Sequence, residues 1–366
     1  MILVSIVGDF QSSIIPIFYE FKDDITKHIL VYDDFKNDVS KAKSLKKGIK
    51  AFTKKYNYKF ETLEYVLDED SIDSLKECAK FILSQTSDAK DIFLNTTDGF
   101  STLTTILNQA LFKKGVNFIA YDMYDNQYNL LNQTKLEKFD IENGLSIGDH
   151  FLLKGYGVKR SDVKKIGKKY EKEIKKLFEK DAGLYNKFIK HPATSKTIKS
   201  LSNEYKDIKK LFISMGFENY TIKDPIFTGT MFELYIFNLL KNLDIDDIEI
   251  GLKVFRTYKN TEIFNEFDIL IMKNNHLHMI ECKYRNNIKL EELIYKYIAI
   301  ADIIDEDGKM LLVTKKEPLY NTAIDNDKSR GKVYKRGKLS NITVLGGVAN
   351  NPLKFILNVK EQFNLK

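Results

Sequence analysis

The chain has 366 residues, of which 43% are hydrophobic, and its formal net charge is +7 at pH 7. This length suffices for two buried cores, so about two domains are expected, and the excess of lysine favours a polyanionic partner. Only Cys78 and Cys282 carry thiols, which excludes a disulfide framework and favours a reducing cytosol. Because no apolar run approaches the ~18 residues of a membrane span, a cytoplasmic protein without a membrane partner is predicted.

The N-terminal half alternates short apolar strands with helical patterns. The predicted strands cover residues 1–7, 28–32, 62–67, 91–95 and 117–121, and the predicted helices cover residues 38–56, 71–83 and 101–112. This alternation predicts a parallel, doubly wound α/β sheet of the Rossmann-like kind. Such sheets bind ligands at the carboxyl ends of their strands.

Two polar loops follow strands of this sheet at those ends. The first contains Gly8, Asp9, Phe10, Gln11, Ser12 and Ser13, and the second contains Asn95, Thr96, Thr97, Asp98, Gly99, Phe100 and Ser101. Both offer backbone N–H groups and a helix N-terminus, which suit phosphate or other polar ligands. A G-x-G-x-x-G fingerprint is absent, so a dinucleotide site is not predicted. Ordinary polar loops remain the alternative.

A helical connector is predicted over residues 146–220, between an N-terminal domain (1–145) and a C-terminal domain (221–366). Within it, residues 163–178 place an apolar stripe at helical spacing among lysines,. The favoured interpretation is an amphipathic helix with a solvated basic face, and a surface that guides nucleic acid is the alternative. Near the C-terminus, residues 328–338 mix glycine with Lys and Arg, which predicts a mobile loop suited to gripping phosphates.

The most informative stretch is a predicted β-hairpin over residues 265–283. Asp268 lies in an apolar strand, and a second strand ends in Glu281 and Lys283. Because side chains alternate along a strand, Glu281 and Lys283 share a face, while Cys282 points to the other face and is interpreted as core packing. Carboxylates and a lysine so placed suit a hard divalent cation and an activated water.

The alternative is that Asp268 and Glu281 are surface charges paired with Lys283. An acid inside an apolar strand is costly without a partner or a metal, which favours the site.

The segments around the hairpin support a compact α/β core. Residues 229–233 open an amphipathic helix, and residues 248–258 form a strand before the hairpin. A helix is predicted over residues 290–304, where Tyr295 and Lys296 could face a phosphate backbone. Residues 309–314 form the next strand.

The spacing D-x12-E-x-K of Asp268, Glu281 and Lys283 resembles the PD-(D/E)xK nuclease superfamily, whose members often carry a metal-site glutamate on the preceding helix, here Glu233. The whole chain resembles CRISPR ancillary nucleases of the Can/Card type, with an N-terminal CARF domain and a C-terminal PD-(D/E)xK domain. The resemblance is carried by ILVSIVGDFQSS, NTTDGFS, HPATSK, FTGTMFELY, NEFDIL and HMIECK.

One loop departs from the family pattern. Family members commonly show an N-x-T-G-G-T-K-like sequence, but this chain has Asp98 at the first glycine, Phe100 at the threonine and Ser101 at the lysine. Loss of that lysine weakens an electrostatic contact to a polyanionic ligand.

The resemblance implies a cyclic-oligoadenylate-activated, metal-dependent nuclease of type III CRISPR antiviral defence that cuts DNA, RNA or both. It implies catalytic roles for Asp268, Glu281, Lys283 and Glu233, and a Mg²⁺ or Mn²⁺ ion held by Asp268, Glu281 and the backbone carbonyl of Cys282. It also implies a cyclic oligoadenylate, with cyclic tetra-adenylate the favoured ring, bound at the two loops, and a homodimer joined through the N-terminal domains.

Two other functions remain open at this point. One is a non-catalytic, nucleotide-sensing protein that binds nucleic acid through a vestigial nuclease fold. The other is an ungated PD-(D/E)xK nuclease whose Rossmann-like domain is structural. Intact Asp268, Glu281 and Lys283 favour an enzyme.

Overall fold

The computed structural model describes residues 1–8, 11–68, 70–98, 101–190, 196–258, 261–284, 290–298, 300, 303–304, 308–315 and 341–365. The chain forms two compact units, Met1–Val158 with Phe255–Ile263, and Lys159–Val254 with Phe264–Lys366. The predicted phosphate-gripping loop 328–338 and all but the last residue of the HPATSK motif lie outside the described residues.

The N-terminal unit is built on one sheet with helices between its strands. Its strands are β1 (Ile2–Ile6), β2 (Lys27–Asp33), β3 (Glu61–Leu67), β4 (Ile92–Asn95), β5 (Asn117–Asp122), β6 (Gln127–Leu131) and β7 (Leu136–Asp140). Its helices are α1 (Gln11–Glu20), α2 (Lys36–Tyr56), α3 (Ile72–Leu83), α4 (Ser101–Phe112) and α5 (Ile147–Leu153).

This sheet confirms the predicted doubly wound topology. The strand order is β3-β2-β1-β4-β5-β6-β7, and the first five strands in the chain pair in parallel. The chain turns from one half of the sheet to the other between β1 and β4, which is where such sheets bind ligands. The strands β6 and β7, which pair antiparallel, were not predicted, because β7 is largely exposed and lacks an apolar run.

The second sheet and its helices follow in the chain. The strands are β8 (Gly157–Lys159), β9 (Asp247–Tyr258), β10 (Thr261–Lys273), β11 (His276–Lys283), β12 (Met310–Thr314) and β13 (Ile342–Gly346), in the order β13-β12-β11-β10-β9-β8. The helices are α6 (Val163–Lys169), α7 (Glu171–Glu179), α8 (Ala182–Ile189), α9 (Lys206–Ser214), α10 (Met231–Leu240), α11 (Leu290–Ile298) and α12 (Pro352–Gln362).

The predicted connector differs from the structure in two respects. Its apolar stripe is divided, because Tyr170, with φ −114° and ψ 29°, ends α6 and precedes α7. In addition, α7, α8 and α9 are not a separate layer, since Ile174, Phe188 and Phe212 belong to one core with the strands of the second sheet. The hydrophobic effect explains this, because short amphipathic helices gain stability mainly by burying their apolar faces.

The helix predicted over residues 290–304 is shorter than expected. Helix α11 ends at Ile298. Beyond it, the Ile300 N–H donates to Tyr297 O at 3.1 Å, and the Ile303 N–H donates to Ile300 O at 3.0 Å. Both bonds span three residues, whereas the hydrogen bonds of an α-helix span four.

Within the described residues, no helix is both long enough and apolar enough to cross a membrane.

Candidate functional site

The predicted hairpin is present, and its register places the two acidic residues opposite each other. Strands β10 and β11 pair antiparallel with Ile269 opposite Ile280, so one further step along the ladder sets Asp268 opposite Glu281. The turn residues Asn274 and Asn275 have φ of 52° and 62°, as a two-residue hairpin turn requires. Directly opposed side chains lie on one face of a sheet, so two carboxylates meet there.

Lys283 lies between these carboxylates. Its ammonium is 3.8 Å from Asp268 Oδ2 and contacts Glu281 Oε1. The Cys282 backbone N–H donates to Asp268 Oδ2 at 2.8 Å. Glu281 is buried, and the side chains of Asp268 and Lys283 are only 16% and 19% exposed. The alternative of solvated surface charges therefore does not describe this cluster.

Glu233 joins the cluster from the helix layer. One π-helical turn (Ile226–Thr230) leads directly into α10, and Glu233 lies in the first turn of that helix. A Cβ atom placed at Gly229 would lie 3.4 Å from Glu233 Oε1, so the absence of a side chain at this glycine leaves space beside the carboxylate. Turns of this kind are frequent at functional sites.

The pKa values of the cluster show an excess of negative charge. Burial, and then the charge of Asp268, raises the pKa of Glu233 to about 8. Burial, and then the charge of Glu281, raises the pKa of Asp268 to about 7. Burial lowers the pKa of Lys283, but the neighbouring carboxylates outweigh that effect, so its pKa is raised and it is an ammonium at neutral pH. Perturbed pKa values of this size often mark functional sites.

The donor set fits a hard divalent cation. Carboxylate and peptide oxygens are the ligands that Mg²⁺ and Mn²⁺ prefer. A cation would offset the burial and the carboxylate repulsion that together raise the pKa values of Asp268 and Glu233. In the part of the chain that the structure describes, no three His, Cys, Asp or Glu side chains are already arranged around a common metal position. The Lys283 ammonium supplies the positive charge between Asp268 and Glu281 instead.

Helix α11 contributes a residue that the sequence analysis missed. Tyr297 is 3% exposed, and burial, followed by the charge of Glu281, raises its pKa. The predicted Tyr295 is 49% exposed, and Lys296 is exposed as well. Helical spacing could have identified Tyr297, because it lies seven residues after Leu290 and therefore on the same face.

A second group lies beside the site and was also missed. Tyr284 follows Lys283 directly, and its hydroxyl donates to Asn186 Oδ1 at 3.1 Å. The Lys315 ammonium also donates to Asn186 Oδ1 and lies 4.4 Å from the centre of the Tyr284 ring. These residues come from α8 and from the ends of β11 and β12, so only the tertiary structure brings them together.

In the N-terminal unit, the two predicted loops lie side by side. The Gly8 N–H donates to Asp98 Oδ2 at 3.0 Å, and Lys41 Nζ donates to Gly8 O at 3.4 Å. Asn95 Oδ1 accepts from both the backbone N–H and the hydroxyl of Thr97, at 3.1 and 2.6 Å. Asp9, Phe10, Gly99, Phe100 and the side chains of Ser12 and Ser101 lie outside the described residues.

Comparison with known proteins confirms the predicted resemblance. Residues 222–326 match the family model of the Card1-like endonuclease domain. No curated protein sequence matches the chain.

Solved structures share the fold over the whole chain. Protein VC1899 from Vibrio cholerae has a TM-score of 0.71 and 14% identity, with 99% of this chain and 98% of that chain covered. Can2 from Sulfobacillus thermosulfidooxidans, solved with cyclic tetra-adenylate, has a TM-score of 0.69 and 16% identity, with 99% of both chains covered. A type III CRISPR defence DNA nuclease activated by cyclic oligoadenylate has a TM-score of 0.52 and 12% identity, with 87% of this chain and 46% of that chain covered.

Because folding raises the pKa of Glu233, its carboxylate is predicted to destabilise the metal-free fold increasingly as the pH rises toward 8. Its folded-state pKa of about 8 exceeds the value of about 4.3 in an unfolded chain. The folded state therefore binds more protons between these values, and stability falls as the pH rises through that window. Glu233→Gln removes this loss, so we expect it to raise the free energy of unfolding by about 2 kcal/mol at pH 8 and by less at pH 5.

Urea denaturation in the presence of a chelator, at both pH values, measures this effect. Glu361→Gln, an exposed change on α12, is the matched control. Equal pH dependence of stability in the two variants would contradict the assignment of Glu233 to a crowded acidic cluster.

Proposed function

We propose that this protein is a metal-dependent nuclease of type III CRISPR antiviral defence that a cyclic oligoadenylate activates. The observation that supports it most directly is the meeting of Asp268, Glu281 and Lys283 at one edge of a sheet, inside the segment that matches a Card1-like endonuclease domain. A vestigial domain would have no need to keep two buried carboxylates opposed across a hairpin, because their repulsion costs stability.

Asp268, Glu281, Glu233 and the Cys282 backbone carbonyl would hold Mg²⁺ or Mn²⁺. A bound divalent cation supplies Lewis acidity and favours ionisation of water, as phosphodiester hydrolysis requires. Lys283 is an ammonium in this site, so its role is to orient the attacking water and to contact the phosphate as a cation, rather than to accept a proton. The burial of Glu281 keeps the reaction centre away from bulk water, which strengthens each electrostatic contact.

The substrate is a nucleic acid, DNA or RNA. An endonuclease domain requires an internal phosphodiester bond, and the formal charge of +7 favours a polyanion,. We propose recognition through the phosphate backbone, because phosphate contacts position a nucleic acid without reading its sequence.

The activator is a cyclic oligoadenylate at the two loops of the N-terminal unit. The loops follow β1 and β4 at the position where the strand order reverses, and Can2, which shares the fold, is solved with cyclic tetra-adenylate. Asn95 is 1% exposed, and within the described residues its Nδ2 has no hydrogen-bond partner. A buried amide of this kind gains a partner from a polar ligand.

Gating requires that the activator prefer the cleavage-competent state. A change from mostly inactive to mostly active demands a difference in binding free energy of roughly 5 kcal/mol between the two states. Several phosphates that contact backbone N–H groups on two subunits could supply it.

Binding of a cyclic oligoadenylate at these two loops predicts a homodimer joined through the N-terminal domains. A ring with two-fold symmetry is best held by two copies of one loop pair around an isologous interface. Light scattering at micromolar concentration is expected to return about twice the 42.5 kDa mass of one chain. A mass of one chain, both with and without cyclic tetra-adenylate, would contradict this assembly.

Removing one carboxylate from the nuclease site should abolish cleavage. Glu281→Ala or Asp268→Asn loses charge and coordination together, so we expect a fall in rate of at least about 100-fold in plasmid or labelled-RNA cleavage with Mn²⁺. Glu262→Gln, an exposed change on β10, is expected to cut at the parent rate. Full activity in a folded Glu281→Ala variant would refute the site.

A charged side chain at Ser12 should uncouple activation from cleavage. Ser12→Glu adds negative charge at the first turn of α1, and repulsion of the phosphates should reduce cyclic tetra-adenylate binding and ligand-stimulated cutting by about tenfold or more. Basal cutting with Mn²⁺ is expected to persist, and Ser12→Ala serves as the control.

Binding calorimetry and cleavage with and without the ligand separate the outcomes. Equal loss of basal and stimulated cleavage in a folded Ser12→Glu protein would favour an ungated nuclease with a structural N-terminal domain.

A further inference from the structure

Positive charge is concentrated in one part of the chain. Residues 159–223 contain 18 Lys and Arg but only eight Asp and Glu, whereas residues 1–158 contain 19 Lys and Arg against 23 Asp and Glu. The net charge of residues 159–223 is therefore +10, which exceeds the +7 of the whole chain. Such an asymmetry does not follow from lysine-rich usage alone, and it is typical of chains that bind a polyanion.

The helices α6 and α7 expose three of these lysines as a row. Lys168, Lys172 and Lys175 are exposed and follow one another at intervals of four and three residues. This spacing places Lys172 and Lys175 on one face of α7, with Lys168 one turn before them. Within the part of the chain that the structure describes, none of these three ammonium groups contacts a carboxylate. The name lysine row is used below for these three residues.

The acids at both ends of α7 are engaged by another helix. Glu171 pairs with Lys241, which directly follows α10, and Glu179 accepts from the Tyr235 hydroxyl of α10 at 3.1 Å. In an isolated helix, Glu171 would instead pair with the lysine four residues later. Because both carboxylates are turned to α10, they leave the charge of the lysine row uncompensated.

The remaining acids of these helices compensate that charge only in part. Asp162 pairs with Lys165 at 2.8 Å, and Asp181 lies 3.6 Å from Lys176, so both acids are engaged by lysines outside the row. Glu173 is exposed on α7. One exposed carboxylate thus stands against three exposed ammonium groups, and the surface has a net positive charge.

Helix α7 is held firmly against the core of its unit. The Phe178 ring stacks on Tyr235 with 4.8 Å between the ring centres, and Ile174 and Phe178 belong to the core that contains Cys282. Cys282 and Glu281 point to opposite faces of the sheet, because side chains alternate along a strand. The helix therefore covers the face opposite the acidic cluster, and the lysine row is a surface separate from that cluster.

We propose that the lysine row is a docking surface for nucleic acid, which contacts the phosphate backbone away from the phosphate that is cut. The inference rests on the proposed nuclease function, because a nuclease must attract a polyanion although the carboxylates of its site repel one. From Lys168 to Lys175 the helices rise by about 10 Å, a length that faces about three phosphates of one duplex strand. Contacts of this kind hold a nucleic acid without reading its sequence.

The test measures nucleic-acid binding by full-length protein that carries Glu281→Ala, which is expected to bind without cutting. Fluorescence anisotropy gives its affinity for a labelled single strand and a labelled duplex at several salt concentrations. Adding Lys168→Ala, Lys172→Ala and Lys175→Ala together should weaken binding at least about tenfold at about 0.1 M salt. The slope of log K against log salt should fall by about 2 for the single strand and by about 3 for the duplex, because three phosphate contacts are lost.

The matched control combines Lys43→Ala, Lys47→Ala and Lys50→Ala. These lysines of α2 are exposed and have the same spacing as the lysine row, so the control removes the same charge from another part of the chain. It is expected to change the affinity and the salt slope little. Equal effects of the two triple changes would show that only net charge matters, and would overturn the docking surface.

Arginine at the three positions of the row keeps the charge and changes the side chain. Lys168→Arg, Lys172→Arg and Lys175→Arg together should retain the affinity and the salt slope of the parent, since guanidinium groups also bind phosphates. A loss as large as that of the alanine protein would assign the lysines a structural role and refute docking.

Anionic vesicles that contain phosphatidylserine are a second probe, because an exposed basic surface can also bind lipid headgroups. Vesicle binding that requires the lysine row, together with nucleic-acid binding that does not, would overturn the proposal in favour of a membrane surface.

Cleavage separates the docking surface from the proposed nuclease function. With an intact site, Mn²⁺ and cyclic tetra-adenylate, alanine in the lysine row should lower kcat/KM for a long strand at least about tenfold. The loss should be smaller for a strand of about 8 nucleotides, which covers about one binding site of ordinary size. Equal losses on the two strands would place the lysines at the catalytic site and overturn a separate surface.

The two proposals fail in different ways. If the unaltered protein binds nucleic acid through the lysine row but cuts none, the nuclease function fails and the docking surface is supported. If it cuts, and the alanine protein binds and cuts long strands as well as its parent, the docking surface fails and the nuclease function is supported.

Discussion

The electrostatic conflict between Asp268 and Glu281 governs the acidic cluster of the hairpin. Two carboxylates opposed across a hairpin and largely removed from water repel strongly, and the structure offsets this with the Lys283 ammonium and the Cys282 N–H. The compensation is incomplete, because burial and then the charge of Glu281 still raise the pKa of Asp268 to about 7. Glu233 adds a third carboxylate to this place, where burial and then the charge of Asp268 raise its pKa to about 8.

In both sheets, neighbouring parallel strands bring residues that are distant in the chain together at the strand ends. In the first sheet, β1 and β4 are neighbours although two other strands separate them in the chain, so the loops that follow them meet and Gly8 bonds to Asp98. In the second sheet, the parallel pair β11 and β12 brings Lys283 and Lys315 to one edge. Ligand-binding residues of parallel sheets commonly lie at the carboxyl ends of the strands, because the loops that follow neighbouring strands lie at the same end of the sheet.

Asp98 and Lys41 both contact the first of the two predicted ligand loops. Asp98 is 6% exposed and its carboxylate accepts the Gly8 N–H, so one amide that could contact a phosphate is already bonded within the chain. Lys41, from α2, lies at the same place and donates to Gly8 O. Gly8 thus contacts both a carboxylate and an ammonium.

Local patterns in the sequence were enough to predict the parallel N-terminal sheet, the hairpin, and the convergence of Asp268, Glu281 and Lys283. These features depend on local periodicity, turn chemistry and alternation along a strand, all of which are visible within short windows. Tertiary structure alone decided that the predicted connector shares the nuclease core and that Asn186 meets Lys315. Contacts between residues distant in the chain depend on which apolar faces pack together. Hydrophobic periodicity in the sequence identifies an apolar face, but it does not show which other face packs against it.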